Sequence, residues 1–76
     1  MNFKLEKGEY EILTLDHEGY TLTQTTTPTL KQAKTTAKLL LTDPELKTAL
    51  QHSNAHKIEI RNHSGECIED YFFPPY

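Results

Sequence analysis

The sequence predicts an α+β fold: an antiparallel sheet of four or five strands with one helix plus a short second helix on one face. Three observations predict it. Apolar residues recur at a helical period only within residues 29–50. Glycines follow two polar residues at the end of strand-like segments, at Gly8, Gly19 and Gly65. β-Branched and aromatic residues fill the intervening stretches. The expected order is β-β-β-α-α-β-β in a single domain over 1–76, with the first strand uncertain.

The helix is the element that can supply a core. Leu30, Ala33, Ala37, Leu40 and Leu41 fall at i, i+3, i+7, i+10 and i+11, on one side of a helix. Thr29 and Gln32 have capping-box spacing, and Pro28 disfavours an earlier start. Thr42-Asp43-Pro44-Glu45 is a stop and restart: Asp43 caps, Pro44 suits the first helical position and Glu45 complements the dipole. Leu46, Ala49 and Leu50 give the second helix its apolar side, and Asn54 suits the left-handed position after its end.

The first candidate strand is residues 2–5, the second 9–15 and the third 20–27. Asp16-His17-Glu18-Gly19 and Asn62-His63-Ser64-Gly65 share an Asx-His-polar-Gly order, so both read as hairpin tips in which the Asx side chain bonds the backbone two residues on. For the first hairpin, a three-residue loop opposes Thr14 with Leu22. A two-residue loop opposes Leu13 with Leu22 and Leu15 with Tyr20, which gathers the leucines on one face and is the register preferred. Residues 21–29 hold six threonines in nine, the pattern of a solvated strand. In the last hairpin a three-residue loop opposes Ile60 with Ile68 and carries the Ile58 face to Phe72. Lys57, Glu59, Arg61, Cys67, Glu69 and Tyr71 then share the wet face, and Asp70 is turned inward as a misfit.

Composition narrows the function. A domain of 76 residues buries only roughly 60–65% of its unfolded surface, and a substrate cleft of roughly 300 Å³ or more would hollow its core. The reading is therefore non-enzymatic, with no cofactor. The net charge of −3 gives no bulk attraction to nucleic acid or anionic membrane. One cysteine, Cys67, allows no internal disulfide and points to a reducing, cytoplasmic setting. The first eight residues carry charges throughout and have no apolar run, so neither a signal peptide nor a membrane span is expected there.

His52 and His56 have the four-residue spacing of helical metal ligands, but the helix is expected to end near Asn54. His17 and His63 sit at turns, so no metal site is expected. Cys67 lacks a paired base and an oxyanion-stabilising loop, which makes it a structural residue. Glu66, Glu69 and Asp70 read as a charged edge that resists aggregation. Lys31, Lys34 and Lys38, at i, i+3 and i+7, are either the solvated side of the helix or a phosphate-facing row without a stacking aromatic. The tail, residues 71–76, holds four of seven aromatics. Phe72 is expected in the core, while Phe73 and Tyr76 either close one end of the sheet or anchor a partner.

Two strands, a helix opening Thr29-Leu30-Lys31-Gln32-Ala33-Lys34, then Ile58-Glu59-Ile60-Arg61 and the Gly65 turn resemble small phage or mobile-element proteins of the anti-CRISPR kind over roughly residues 10–73. The resemblance implies a protein that binds a defence complex and occludes its nucleic-acid surface without catalysis. Lys31, Ala33 and Lys34 are also similar in kind to the last helix of double-stranded RNA-binding domains, although that family's first helix has no counterpart here and a further hairpin follows.

The expected function is thus a protein-binding module, with Lys57, Glu59, Arg61, Glu69, Tyr71, Phe73 and Tyr76 as contacts. The alternative is a nucleic-acid-contacting module using Lys31, Lys34 and Lys38.

Overall fold

The structure, a computed structural model, describes residues 8–73. The expected first strand, residues 2–5, and Tyr76 lie outside them. The described order is β1 (Tyr10–Asp16), β2 (Thr21–Thr27), α1 (Leu30–Thr42), α2 (Pro44–His52), β3 (Ala55–Arg61) and β4 (Cys67–Phe72). The strands form one antiparallel sheet in the order β2-β1-β3-β4, so the α+β reading holds with four strands.

Local chemistry sets the element ends as the sequence foretold. The Thr29 hydroxyl accepts from the Gln32 amide at 3.1 Å and opens α1. Asp43 closes α1 through its own amide to Leu39 O at 2.8 Å, and its Oδ1 takes the amides of Glu45 and Leu46 to open α2. Asn54 follows α2 at φ 66°, the left-handed position that ends the helix. Gly19 and Gly65 have φ near 90° and 82° at the two hairpin tips, where a side chain would be strained.

The core lies between the helices and one face of the sheet, where Ile12, Ile58 and Ile60 meet Ala33, Ala37, Leu50, Ala55 and Phe73. Alanine at 33 and 37 lets α1 approach the strands closely, and both residues are fully buried. Leu30, Leu40 and Leu41 pack around this centre half-buried, as their spacing implied. The shorter helix differs from expectation. Leu50 is buried, but Leu46 and Ala49 are exposed, because α2 is rotated so that Leu50 is flanked by half-buried Lys47 and Gln51. The lysine stem can cover apolar surface while its ammonium stays wet.

Both hairpin registers differ from those expected, for one reason. Each tip is a three-residue loop: Gly19 N donates to Asp16 O and Asp16 N to Tyr20 O, and the same pair recurs from Gly65 to Asn62 and from Asn62 to Glu66. Each loop is followed by one further pair, Leu15 with Thr21 or Arg61 with Cys67. One residue is then bulged out of step, so Thr14 faces Thr23 and Ile60 faces Glu69. The extra residues are Leu22 and Ile68. A single inserted residue reverses the alternation beyond it. Leu13 consequently faces Gln24 rather than Leu22, and Leu15 faces Thr21 rather than Tyr20.

In β4 the consequence is larger. Ile58 faces Tyr71 and Glu59 faces Asp70, so Glu69 and Tyr71 turn to the helix side while Asp70 and Phe72 turn outward. Phe72, expected in the core, is 57% exposed, and Phe73 fills the core at 8%. Asp70 is no misfit in this register.

Candidate functional site

Alternation and pairing lay out the face opposite the helices in three rows. One row runs Thr21, Leu15, Lys57, Phe72; the next Gln24, Leu13, Glu59, Asp70; and the last Thr26, Glu11, Arg61, Cys67. Leu13 and Leu15 are buried here, so β1 is covered on both sides rather than one. The rest of the face is polar, apart from Phe72.

Glu59 is the hub. It is 8% exposed, with Lys57 Nζ 2.8 Å from Oε2 and Arg61 Nη2 and Nε at 2.7 and 3.0 Å from Oε1. Spacing on β3 makes this possible, since residues 57, 59 and 61 share a face. The hydrogen bond from Lys57 holds the Glu59 carboxyl below the usual glutamate range, assisted by Arg61 and opposed by partial burial. Lys57 is held above the usual lysine range by the same contact. Its ammonium also sits 5.9 Å from the centre of the Phe72 ring, within cation–π reach.

Next to Phe72 lie two imidazoles. The His56 ring is 5.3 Å from Phe72, edge-on, and 4.6 Å from the ring of His17. A third irregularity brings them together, because the β1–β3 register slips between Leu15–Lys57 and Asp16–Ala55 and leaves His56 out of step. His17 and His56 are distant in the sequence, so spacing alone gave no sign of the pair. Among the described residues no group of three or more histidine, cysteine, aspartate or glutamate side chains is placed to hold a metal ion.

The remaining predicted contacts go elsewhere. Lys34 Nζ is 3.3 Å from Glu69 Oε2, across the gap between α1 and β4. Tyr71 stands in the same corner, and burial raises its phenol above the usual range, with the Glu69 charge adding to the effect. Two sets expected on separate surfaces, the lysine row and the strand residues, thus meet at Lys34, Glu69 and Tyr71. Lys31 and Lys38 remain exposed. Lys31 borders an open depression of about 520 Å³ with Thr27, Thr29, Gln32, Thr35 and Thr36. Phe73 is buried and offers no exposed ring.

Cys67 lies at the outer edge, with its thiol 3.5 Å from Glu69 O. Partial burial, then the charges of Glu59 and Asp70, push its pKa up. That setting favours the thiol over the nucleophilic thiolate.

Sequence reasoning missed Phe72 and Ile68 as surface features, and it missed the pairing of His17 with His56. The three-residue loop at the tip over residues 62–65 was legible in the sequence, but by itself it turns Phe72 inward. What the sequence did not mark was the second slip just beyond each loop.

The fold and this face together define a small α+β module with a polar, aromatic-edged sheet surface. No family model matches the chain, and no curated protein or solved structure shows significant similarity to it.

Proposed function

We propose that this chain is a non-enzymatic protein-binding module, an inhibitor of the kind by which phages and mobile elements block a host defence complex such as a CRISPR effector, and that it docks through the outer face of its sheet. The observation that carries the reading is Phe72. A large aromatic side chain is left 57% exposed beside a cation, on a rigid strand, with Arg61 and Lys57 already oriented by Glu59. Aromatic and arginine side chains dominate the energetic centres of protein interfaces, and groups ordered before binding lose little freedom on docking. The unpaired Cys67 fits work in a reducing, cytoplasmic setting. No described helix is long and apolar enough to cross a membrane.

The test is affinity capture from lysate of a bacterium that carries a CRISPR system, followed by titration of the purified partner. Phe72→Ala is expected to weaken binding by about 30-fold, the size of an interface hot spot of roughly 2 kcal/mol, with an unchanged circular dichroism spectrum. Equal binding by the wild type and Phe72→Ala overturns this face as the docking surface.

The nucleic-acid reading rests on the exposed Lys31 and Lys38, and it is weakened by the commitment of Lys34 to Glu69. Retention of labelled RNA or DNA at low salt, released steeply as salt rises and lost with Lys31→Ala and Lys38→Ala, would replace the first reading with this one.

A further inference from the structure

We propose a second interaction surface, independent of the outer face: β2 pairs antiparallel with β2 of a second copy of this chain, joining two sheets, each of four described strands, into one. Among the described residues β2 and β4 are the two edges of the sheet, and their chemistry is opposite. Exposed edge strands offer unpaired backbone groups to other chains, and proteins ordinarily protect them with charge, proline or a bulge. β4 is protected in this way by Glu69 and Asp70, with Glu66 just before it. β2, Thr-Leu-Thr-Gln-Thr-Thr-Thr, has neither charge nor proline along seven residues, and five of its side chains are exposed. Its bulge at Leu22 lies near the loop and leaves Thr23 to Thr27 in regular register.

The occupant follows from charge and closure. Pairing β4 with β4 sets carboxylates against carboxylates. Pairing β2 with β4 is heterologous and would extend into open filaments. Pairing β2 with β2 about a two-fold axis is isologous and closes at two copies, with an acidic β4 at each end of the joined sheet to stop further growth. In that geometry residues opposite each other share a face, so the axis passes beside a single residue. Centred on Gln24 or on Thr25, the register places only Thr, Gln and Leu22 side chains opposite one another, and no charge is buried. Beside the end of β2, the open depression of about 520 Å³ lined by Thr27, Thr29, Lys31, Gln32, Thr35 and Thr36 gives the incoming copy room on the α1 side.

The experiment is sedimentation equilibrium of the full chain from roughly 1 μM to 1 mM, the range of a weak, small interface. The wild-type mass is expected to rise from 8.8 kDa to a plateau at twice that value. The double variant Thr23→Lys, Thr25→Lys sets lysine against lysine in either register and is expected to stay at the chain mass throughout. Thr23→Val, Thr25→Val keeps an uncharged, β-branched edge and is expected to pair like the wild type. Should the two lysines disturb the far-ultraviolet spectrum, Thr25→Lys alone carries the test. A wild-type mass that never leaves that of one chain, a folded lysine variant that pairs as well as the wild type, or growth past two copies without a plateau overturns the proposal. Binding through Phe72 is read separately, so the failure of one surface does not decide the other.

Discussion

Thr14 sits at the middle of the sheet, fully buried, and its hydroxyl has no hydrogen-bond partner among the described residues. A sealed polar group without a partner lowers stability, whereas a methyl of similar shape in its place has no such cost. Thr14→Val is therefore expected to stabilise the chain by about 1 kcal/mol, and by about 4–8 °C in melting temperature for a domain of this size. Thermal denaturation checks it, and a lower midpoint would mean that the hydroxyl is satisfied in solution.

Glu59 makes the pH prediction. Its carboxyl titrates below the ordinary range because Lys57, then Arg61, favour the charged form. The stabilisation is complete above the unfolded value of about 4.3 and is lost as pH falls through the lower folded value. Urea midpoints of the wild type should thus decline on acidification through that window. Glu59→Gln should show a shallower decline, and equal slopes would count against the hub.

At the scale of elements, the two hairpins repeat one construction. Oδ1 of Asp16 accepts the amides of Glu18 and Tyr20 at 2.9 Å, and Oδ1 of Asn62 accepts those of Ser64 and Glu66 at 2.9 and 3.0 Å. Asp16→Ala and Asn62→Ala should each cost about 1 kcal/mol. Because the loops stand at opposite ends of the sheet, the double variant should lose the sum. Urea titration of the cycle measures this, and a marked departure from additivity would show that the hairpins are coupled.

Adjacent phenylalanines give the sharpest contrast. Phe73→Ala should cost about 3 kcal/mol as a core truncation, whereas Phe72→Ala should leave the midpoint nearly unchanged. Reversed outcomes would restore the register without the bulge.

These elements also show what the sequence made legible. Thr29, Asp43, Asn54, Gly19 and Gly65 act on groups within a few residues, so their roles could be read directly. The i, i+3, i+7 spacing of Leu30, Ala33 and Ala37 likewise placed α1 on the core. The slips at Leu22, Ile68 and His56 are settled between strands, where packing of the whole sheet outweighs the simple alternation of any one segment. For that reason Lys57, Glu59 and Arg61 were correctly grouped, while Glu69, Tyr71 and Phe72 were assigned to the wrong side.

For the whole molecule, the helices cover one side of a thin sheet, and the other side is a plate whose polar rows flank the buried Leu13 and Leu15. Joined along β2, two copies would carry two such plates side by side. A partner that presents its target site twice would then be held with higher avidity than either plate gives alone. The same pairing links stability to concentration, so the melting temperature of the wild type should rise with protein concentration while that of Thr23→Lys, Thr25→Lys stays fixed. Differential scanning fluorimetry across the dilution series checks it.

The bulge at Ile68 has a consequence for descent. Because the displayed ring and the anchoring ring are neighbours of the same residue type, drawing Ile68 into the ladder opposite Ile60, with no change in chain length, would exchange their places and still fill the interior with phenylalanine. Tyr71 and Glu69 would come to the surface together, at the expense of an inward Asp70. A lineage could therefore change what its outer surface recognises by one substitution that removes the bulge, a shorter path than replacing several side chains one after another.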